Sequence, residues 1–370
     1  MNLDEQIELK SKEVSTESYG MSVGELLSLY KEGELNLHPE FQRFFRWSDE
    51  QKSRLIESLV LGIPIPPIFV SQDPKGKWDV IDGLQRLSTI FELAGELIGE
   101  DNEKRPELVL KPTKYLPGFA GMRWGAKDEE GIKILSDTTK LIVKRARLDV
   151  KIVLNKSDTS SKYELFDRLN TGGSAATPQE VRNCLLLMIN RGFFESLTIL
   201  SKDPNFIECI PLTERQVAEQ YPMELVVRFL TLRLATRGQL AGMADLGPYL
   251  TDRIVEFAED SDFDLASEEK AFHRTFKILS ECLTDDSFRR FNQNKSRSEG
   301  AFLISLFEII ALGIGHFMAD DEFTIEVPKI LDIHHTIWNN QTFTKGTGSG
   351  VRPTSRLPVT ILLGRDLFRP

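Results

Sequence analysis

The stretch Asp79-Val80-Ile81-Asp82-Gly83-Leu84-Gln85-Arg86-Leu87-Ser88-Thr89-Ile90 decides how the first half of the chain folds. Up to Asp82 it alternates as a strand does. From Leu84 the apolar residues change period, and Leu84, Leu87, Ile90, Phe91 and Ala94 share one helical face. Gly83 stands where the strand must turn into the helix. Such a turn leaves the first N–H groups of the helix without internal partners, at the positive end of the helix dipole. Both effects favour an anion such as phosphate. Gln85 and Arg86 sit in that first turn, and a guanidinium fork suits phosphate oxygens. Asp82, just before it, is a candidate ligand for a metal ion or a water. The same residues allow an architectural reading: a buried turn with Asp82 capping the helix and Arg86 paired inside the fold. Spacing alone does not separate the two.

Working outward, Ile68–Ser71 and Trp78–Asp82 read as strands joined by Asp73-Pro74-Lys75-Gly76, a turn sequence. The prolines of Ile63–Pro67 exclude a helix there. Ser48 followed by Gln51 is a capping-box pattern that opens a helix to Leu61, and Gly62 ends it. Val23–Tyr30 reads as a short helix, Leu35–Leu37 as a short strand, and residues 1–20 as polar and loosely packed. Residues 96–147 are interrupted by Gly99, Pro106, Pro112, Pro117, Gly118 and Gly121. Leu148–Leu154 alternates as a strand, and a helix is expected over Ser161–Leu169. Thr177-Pro178-Gln179-Glu180 then opens a capped helix to about Asn190. From Glu195 the pattern is helical, over 223–236, 251–259, 267–283, 299–317 and 325–338. The expected class is therefore α+β: an α/β domain over 1–190, a helical domain over 191–340, and a tail over 341–370 containing Gly, Thr and Arg.

The chain of 370 residues carries a net charge of −10. A protein that coats duplex DNA with its whole surface shows the opposite balance, so any nucleic-acid contact is expected to be weak and local. The tail offers one patch, with Lys345, Arg352, Arg356, Arg365 and Arg369 against Asp366. Its arginines can equally pair with acidic neighbours. No apolar run reaches the length needed to cross a bilayer, and the N-terminus lacks a secretory layout. Cys184, Cys209 and Cys282 are few and scattered, as reduced thiols are. These features predict a cytoplasmic protein with no membrane partner. His334 and His335 are adjacent, which suits no common zinc geometry. No P-loop, Ser/His/Asp signature or dinucleotide fingerprint is found.

Further segments give the central turn a context. Upstream stand Leu37-His38-Pro39-Glu40-Phe41-Gln42-Arg43, Trp47, and Leu55–Ile68 with its closely spaced prolines. Downstream stand Phe166-Asp167-Arg168-Leu169-Asn170-Thr171-Gly172-Gly173 and Gln179-Glu180-Val181-Arg182-Asn183. This ordered set, from about Leu35 to Asn183, resembles the N-terminal domain of GmrSD-type and SspE-type phage-restriction proteins. That family has a ParB/sulfiredoxin-like fold and an Asp-Gly-Gln-Gln-Arg signature. The resemblance implies nucleoside-triphosphate (NTP) binding, often with Mg-dependent hydrolysis. It assigns Asp82 and Gln85 to catalysis, with Asp82 also at the metal. It assigns Arg43, Gly83 and Arg86 to the nucleotide, with Arg168 and Asn170 on a second wall. Leu84 replaces the first glutamine of the signature, which spares binding more readily than turnover. Two-part relatives carry a His-Asn-His nuclease motif, and none occurs after residue 190. The leading expectation is a nucleotide-binding protein of phage-restriction type, a weak NTPase acting with a protein partner or a second copy of itself. The alternatives are a DNA-binding or DNA-cleaving ParB-like module and a non-catalytic regulatory subunit.

Overall fold

A computed structural model describes residues 16–37, 47–73, 75–99, 102–125, 133–154, 177–348 and 350–370. The chain divides into two compact units, Met1–Ala175 and Ala176–Pro370.

The first unit is built on a five-stranded sheet of order β1-β7-β3-β4-β2. Its strands are β1 (Thr16–Ser22), β2 (Leu35–Asn36), β3 (Ile68–Gln72), β4 (Trp78–Asp82) and β7 (Arg147–Val153). A separate short pair joins β5 (Met122–Arg123) to β6 (Lys133–Ile134). In β7 the residues Leu148, Val150 and Ile152 are buried while Arg147 and Asp149 face water, the alternation of a strand with one face on a core. β3 lies in the middle, parallel to β7 and antiparallel to β4. Helices α1 (Val23–Lys31), α2 (Asp49–Leu61), α3 (Leu84–Leu93) and α4 (Asp137–Arg145) accompany the sheet. The capping box of α2 forms between Ser48 and Gln51, and Gly62 closes it with φ +69°. Val23, Ile56, Ile68, Val70, Leu87, Phe91 and Val150 are fully buried in a single cluster.

Several elements of the first unit escaped the sequence, the short β5 and β6 among them. Thr16–Ser22 is a strand that pairs along its whole length with β7. Glu17 to Gly20 are exposed, as suits an edge strand stabilised mainly through its backbone, and Met21 packs against the core. Helix α4 buries only Val143, so it carries almost no apolar period, and Ser136 caps its start instead. The expected helix over Ser161–Leu169 lies outside the described residues.

The second unit is helical, with α5 (Pro178–Ile189), α6 (Arg191–Leu200), α7 (Tyr221–Arg233), α8 (Leu246–Glu259) and α9 (Leu265–Cys282). A β-hairpin follows, β8 (Arg290–Asn292) with β9 (Arg297–Glu299), and then a helical run from Ile304 to Gly315 with a π turn at Phe307–Ala311. α10 (Val327–Thr336) and α11 (Pro353–Phe368) lie toward the C-terminus. Phe206, Phe229, Phe272 and Phe276 pack with ring centres 4.5–5.7 Å apart, the tilted and edge-on arrangement aromatic rings prefer.

Much of the tail is helix. Pro358 and Gly364 interrupt its pattern, but Gly364 is what lets α11 approach the π turn: a Cβ there would overlap the Ile309 carbonyl oxygen. The fully buried Glu308 accepts from Arg356 through Nε and Nη2, each at 2.9 Å, and from the Thr360 hydroxyl at 2.9 Å. Arg365 donates to the carbonyls of Leu232 and Arg233. These two cations of the tail are thus engaged within the second unit.

Candidate functional site

The turn at residues 82–86 is held from both sides. Asp73 fixes the β3–β4 hairpin by accepting from the backbone N–H groups of Lys75 and Lys77, each at 2.8 Å. A register shift between Phe69 and Val70 then sets Asp82 opposite Phe69 at the end of β4. Gly83 has φ +97°, in the left-handed region, and serves as the N-cap of α3. It has no side chain to bond the first-turn amides, in contrast to Ser22, Ser48 and Thr177, which begin capping boxes at α1, α2 and α5. A Cβ at Gly83 would overlap Ile68 Cδ1 and lie 3.3 Å from Arg86 Nη2. Conformation and space both demand glycine here.

Arg86 is 9% exposed. Its Nη2 donates to Asp82 Oδ2 at 2.6 Å and its Nη1 to the Pro66 carbonyl at 2.9 Å. One guanidinium thereby pins the proline-rich segment 63–67 to the strand–helix turn. The architectural pairing of Arg86 is present, while the Asp82 side chain remains 40% exposed. Asp82 contributes no cap to α3, because the cap position belongs to Gly83. Leu84 packs half-buried against the apolar cluster, which accounts for an apolar side chain where the family signature has glutamine. Gln85 is half-buried in the first turn, and its carbonyl accepts from Thr89 Oγ1 at 2.7 Å.

The structure therefore brings Asp82, Gly83, Gln85 and Arg86 together. Arg43, Arg168 and Asn170 lie outside the described residues. Trp47 packs partly buried against the core. Arg182 and Asn183 belong to the second unit and are buried there: Gln179 Nε2 donates to Asn183 Oδ1 at 2.8 Å, and Arg182 Nε donates to Thr251 Oγ1 at 3.3 Å. Sequence reasoning missed the pair formed by Lys52 on α2 and Glu92 on α3, at 2.8 Å. Burial raises the Glu92 carboxyl above its ordinary range, against the pull of Lys52. It also missed Ser88, fully buried with a hydroxyl that has no partner among the described residues. Ser88 and Glu92 stand four residues apart on α3 beside the apolar Leu87 and Phe91, and that was the only available signal.

A metal finds little prepared for it. Among the described residues no group of three or more His, Cys, Asp or Glu side chains could hold a cation. Asp82 is one carboxylate, already bonded to Arg86. That fits a Mg²⁺ brought in with phosphate oxygens, which supply most of its ligands, and does not fit an all-protein cage. His334 Nε2 faces the carbonyls of Asp286 and Arg289 at 3.0 and 3.1 Å, as a donor in the hairpin support. No helix among the described residues is long and apolar enough to cross a membrane.

Residues 23–187 match the family described as GmrSD restriction endonuclease, N-terminal domain. The match covers a little under half of the chain and includes the whole 82–86 turn. Comparison with curated proteins and with solved structures gave no match.

Proposed function

We propose, on the premise that residues 23–187 are a GmrSD-type N-terminal domain, that this restriction-type protein binds a nucleoside triphosphate at the 82–86 turn. The observation that carries the reading is the start of α3. Gly83 supplies no side-chain cap at the positive end of a ten-residue helix. Arg86 places a cation within the same turn, oriented by Asp82 and Pro66 and with further N–H donors in hand. Arg43, Arg168 and Asn170 join the phosphate and base contacts through the family resemblance alone.

Asp82 would help hold a Mg²⁺ carried in with the triphosphate, and the ion would supply charge neutralisation there. Gln85 would orient a water, and Leu84, turned toward the core, adds no second polar group for that task. Hydrolysis is accordingly slow beside binding, and the helical unit relays occupancy to a protein partner or a second copy of the chain. The test is equilibrium binding and hydrolysis of ATP, GTP, CTP and UTP with Mg²⁺, with and without DNA, in the natural chain and Arg86→Ala. Saturable binding of at least one triphosphate, weakened in the folded variant, is expected. Absence of binding, or equal binding by both proteins, overturns the reading.

A further inference from the structure

We propose that the β8–β9 hairpin of the second unit is a contact surface for duplex DNA, set against the phosphates that border a groove. From Arg289 to Arg297 the chain reads Arg-Arg-Phe-Asn-Gln-Asn-Lys-Ser-Arg, with four cations and no acid, in a protein of net charge −10. Arg289 pairs with Asp285 and Lys295 with Glu299. Arg290 and Arg297 are exposed, and neither forms an ion pair with a carboxylate among the described residues. The strand register sets Asn292 opposite Arg297 and Arg290 opposite Glu299, so both arginines project from one face together with Glu299, whose carboxylate is taken up by Lys295 and Asn292.

The hairpin is fixed before any ligand arrives. On its other face Phe291 stacks on His335, with ring centres 3.8 Å apart and 24° between planes. At the tip, Asn292 Oδ1 accepts from the backbone N–H groups of Asn294 and Lys295 at 3.0 and 3.2 Å. A surface already ordered loses less entropy on binding.

Charge and shape select the occupant. A two-stranded ribbon is one of the shapes a duplex major groove admits, and exposed arginines complement the phosphates along it. A single strand would call for open rings on which bases stack. Here Phe291 is stacked on His335, and the Trp338 ring is covered by the Arg290 guanidinium at 4.8 Å and meets Phe343 on another side. The C-terminal tail is the weaker candidate, because Arg356 and Arg365 are committed to Glu308 and to backbone carbonyls.

The experiment is fluorescence anisotropy of a labelled random-sequence duplex with the full chain, at several salt concentrations from about 50 to about 200 mM. It compares Arg290→Gln/Arg297→Gln, Arg290→Lys/Arg297→Lys, and the control Arg352→Gln/Arg369→Gln. The glutamine pair is expected to weaken binding about tenfold at low salt and to flatten the slope of log K against log salt by about 2, from two lost phosphate contacts. The lysine pair should retain the slope, and the control should match the natural chain. An unchanged unfolding midpoint and unchanged triphosphate binding show that the variants are folded and that the 82–86 turn is intact. No duplex binding at the lowest salt, equal binding by the glutamine pair, or tighter binding of a single strand of the same length overturns the inference. Failure of triphosphate binding in the natural chain refutes the proposed function and leaves this inference standing.

Discussion

Replacing Gly83 by alanine tests the central turn most directly. Two costs are expected. A non-glycine residue at φ +97° bears about 1–2 kcal/mol of backbone strain. The new methyl meets Ile68 Cδ1, and overpacking of this kind typically costs about 1–3 kcal/mol. Alanine also narrows the unfolded ensemble, which returns about 0.4–1 kcal/mol. Gly62→Ala isolates the packing cost, because Gly62 has φ +69° and nothing lies within 4 Å of the place its methyl would take. Unfolded-state effects are similar in the two variants and the strain is the greater at Gly83, whose φ lies further from the left-handed well, so Gly83→Ala should be less stable than Gly62→Ala by at least about 1–3 kcal/mol. Urea unfolding followed by tryptophan fluorescence reads this in a Trp338→Phe background, where Trp47, Trp78 and Trp124 all report on the first unit. Adding Ile68→Val removes the colliding methyl and should recover part of the loss, giving a coupling between the two positions. Equal losses in Gly83→Ala and Gly62→Ala, or additivity with Ile68→Val, would refute the argument that close packing fixes glycine at 83.

Four other outcomes are expected. Arg86→Ala should lower stability by about 1–3 kcal/mol as well as weaken triphosphate binding about tenfold, because it leaves Pro66 and Asp82 without their donor; urea titration and equilibrium binding read the two effects separately. Arg356→Ala should destabilise the second unit by about 3–5 kcal/mol, since it strands the buried Glu308 carboxylate, and a loss below about 1 kcal/mol in thermal unfolding would contradict this. Burial, with His335 beside it, holds the His334 imidazole below its ordinary 6.5. The folded state therefore keeps the neutral ring, and its contribution is full above about 6.5 and lost as the pH falls below that value, so the second unit's urea midpoint should be lower at about pH 5.5 than at about pH 7.5. Burial pushes the Cys209 thiol up to about 12, so mass spectrometry should find it unmodified by a thiol reagent at about pH 8 until the chain unfolds.

How much of this was legible depended on whether the signal was local. The Ser48/Gln51 and Thr177/Glu180 capping boxes, the Asp73–Gly76 turn and the change of period at Gly83 each lie within a few residues, and all four formed as read. β1 was missed because its stabilisation comes mainly from β7, far along the chain, and Met21 is too slight an apolar trace. No helix was assigned to the tail, because Gly364 and Pro358 look like breakers until the Ile309 carbonyl that demands the glycine is in view. At the site, the sequence named Asp82 and Arg86 and left open whether they meet a ligand or form a buried turn, with Asp82 capping the helix and Arg86 paired inside the fold. They meet each other, and the Pro66 carbonyl that completes the arrangement could not be inferred from spacing.

The position of β7 has a consequence for how the first unit is made. Ile68 pairs with Val150 and Thr16 with Val153, so the strand that joins β1 to β3 is the last of the sheet to leave the ribosome. Until then the β3–β4 hairpin presents an open edge of unpaired amides, and β1 has no partner at all. Contacts this distant in sequence close slowly. During synthesis the nascent chain therefore passes through a long interval in which β3, an interior strand of the finished sheet, behaves as an edge available to other chains. Yield of folded protein should depend on how quickly translation carries the chain past Val153.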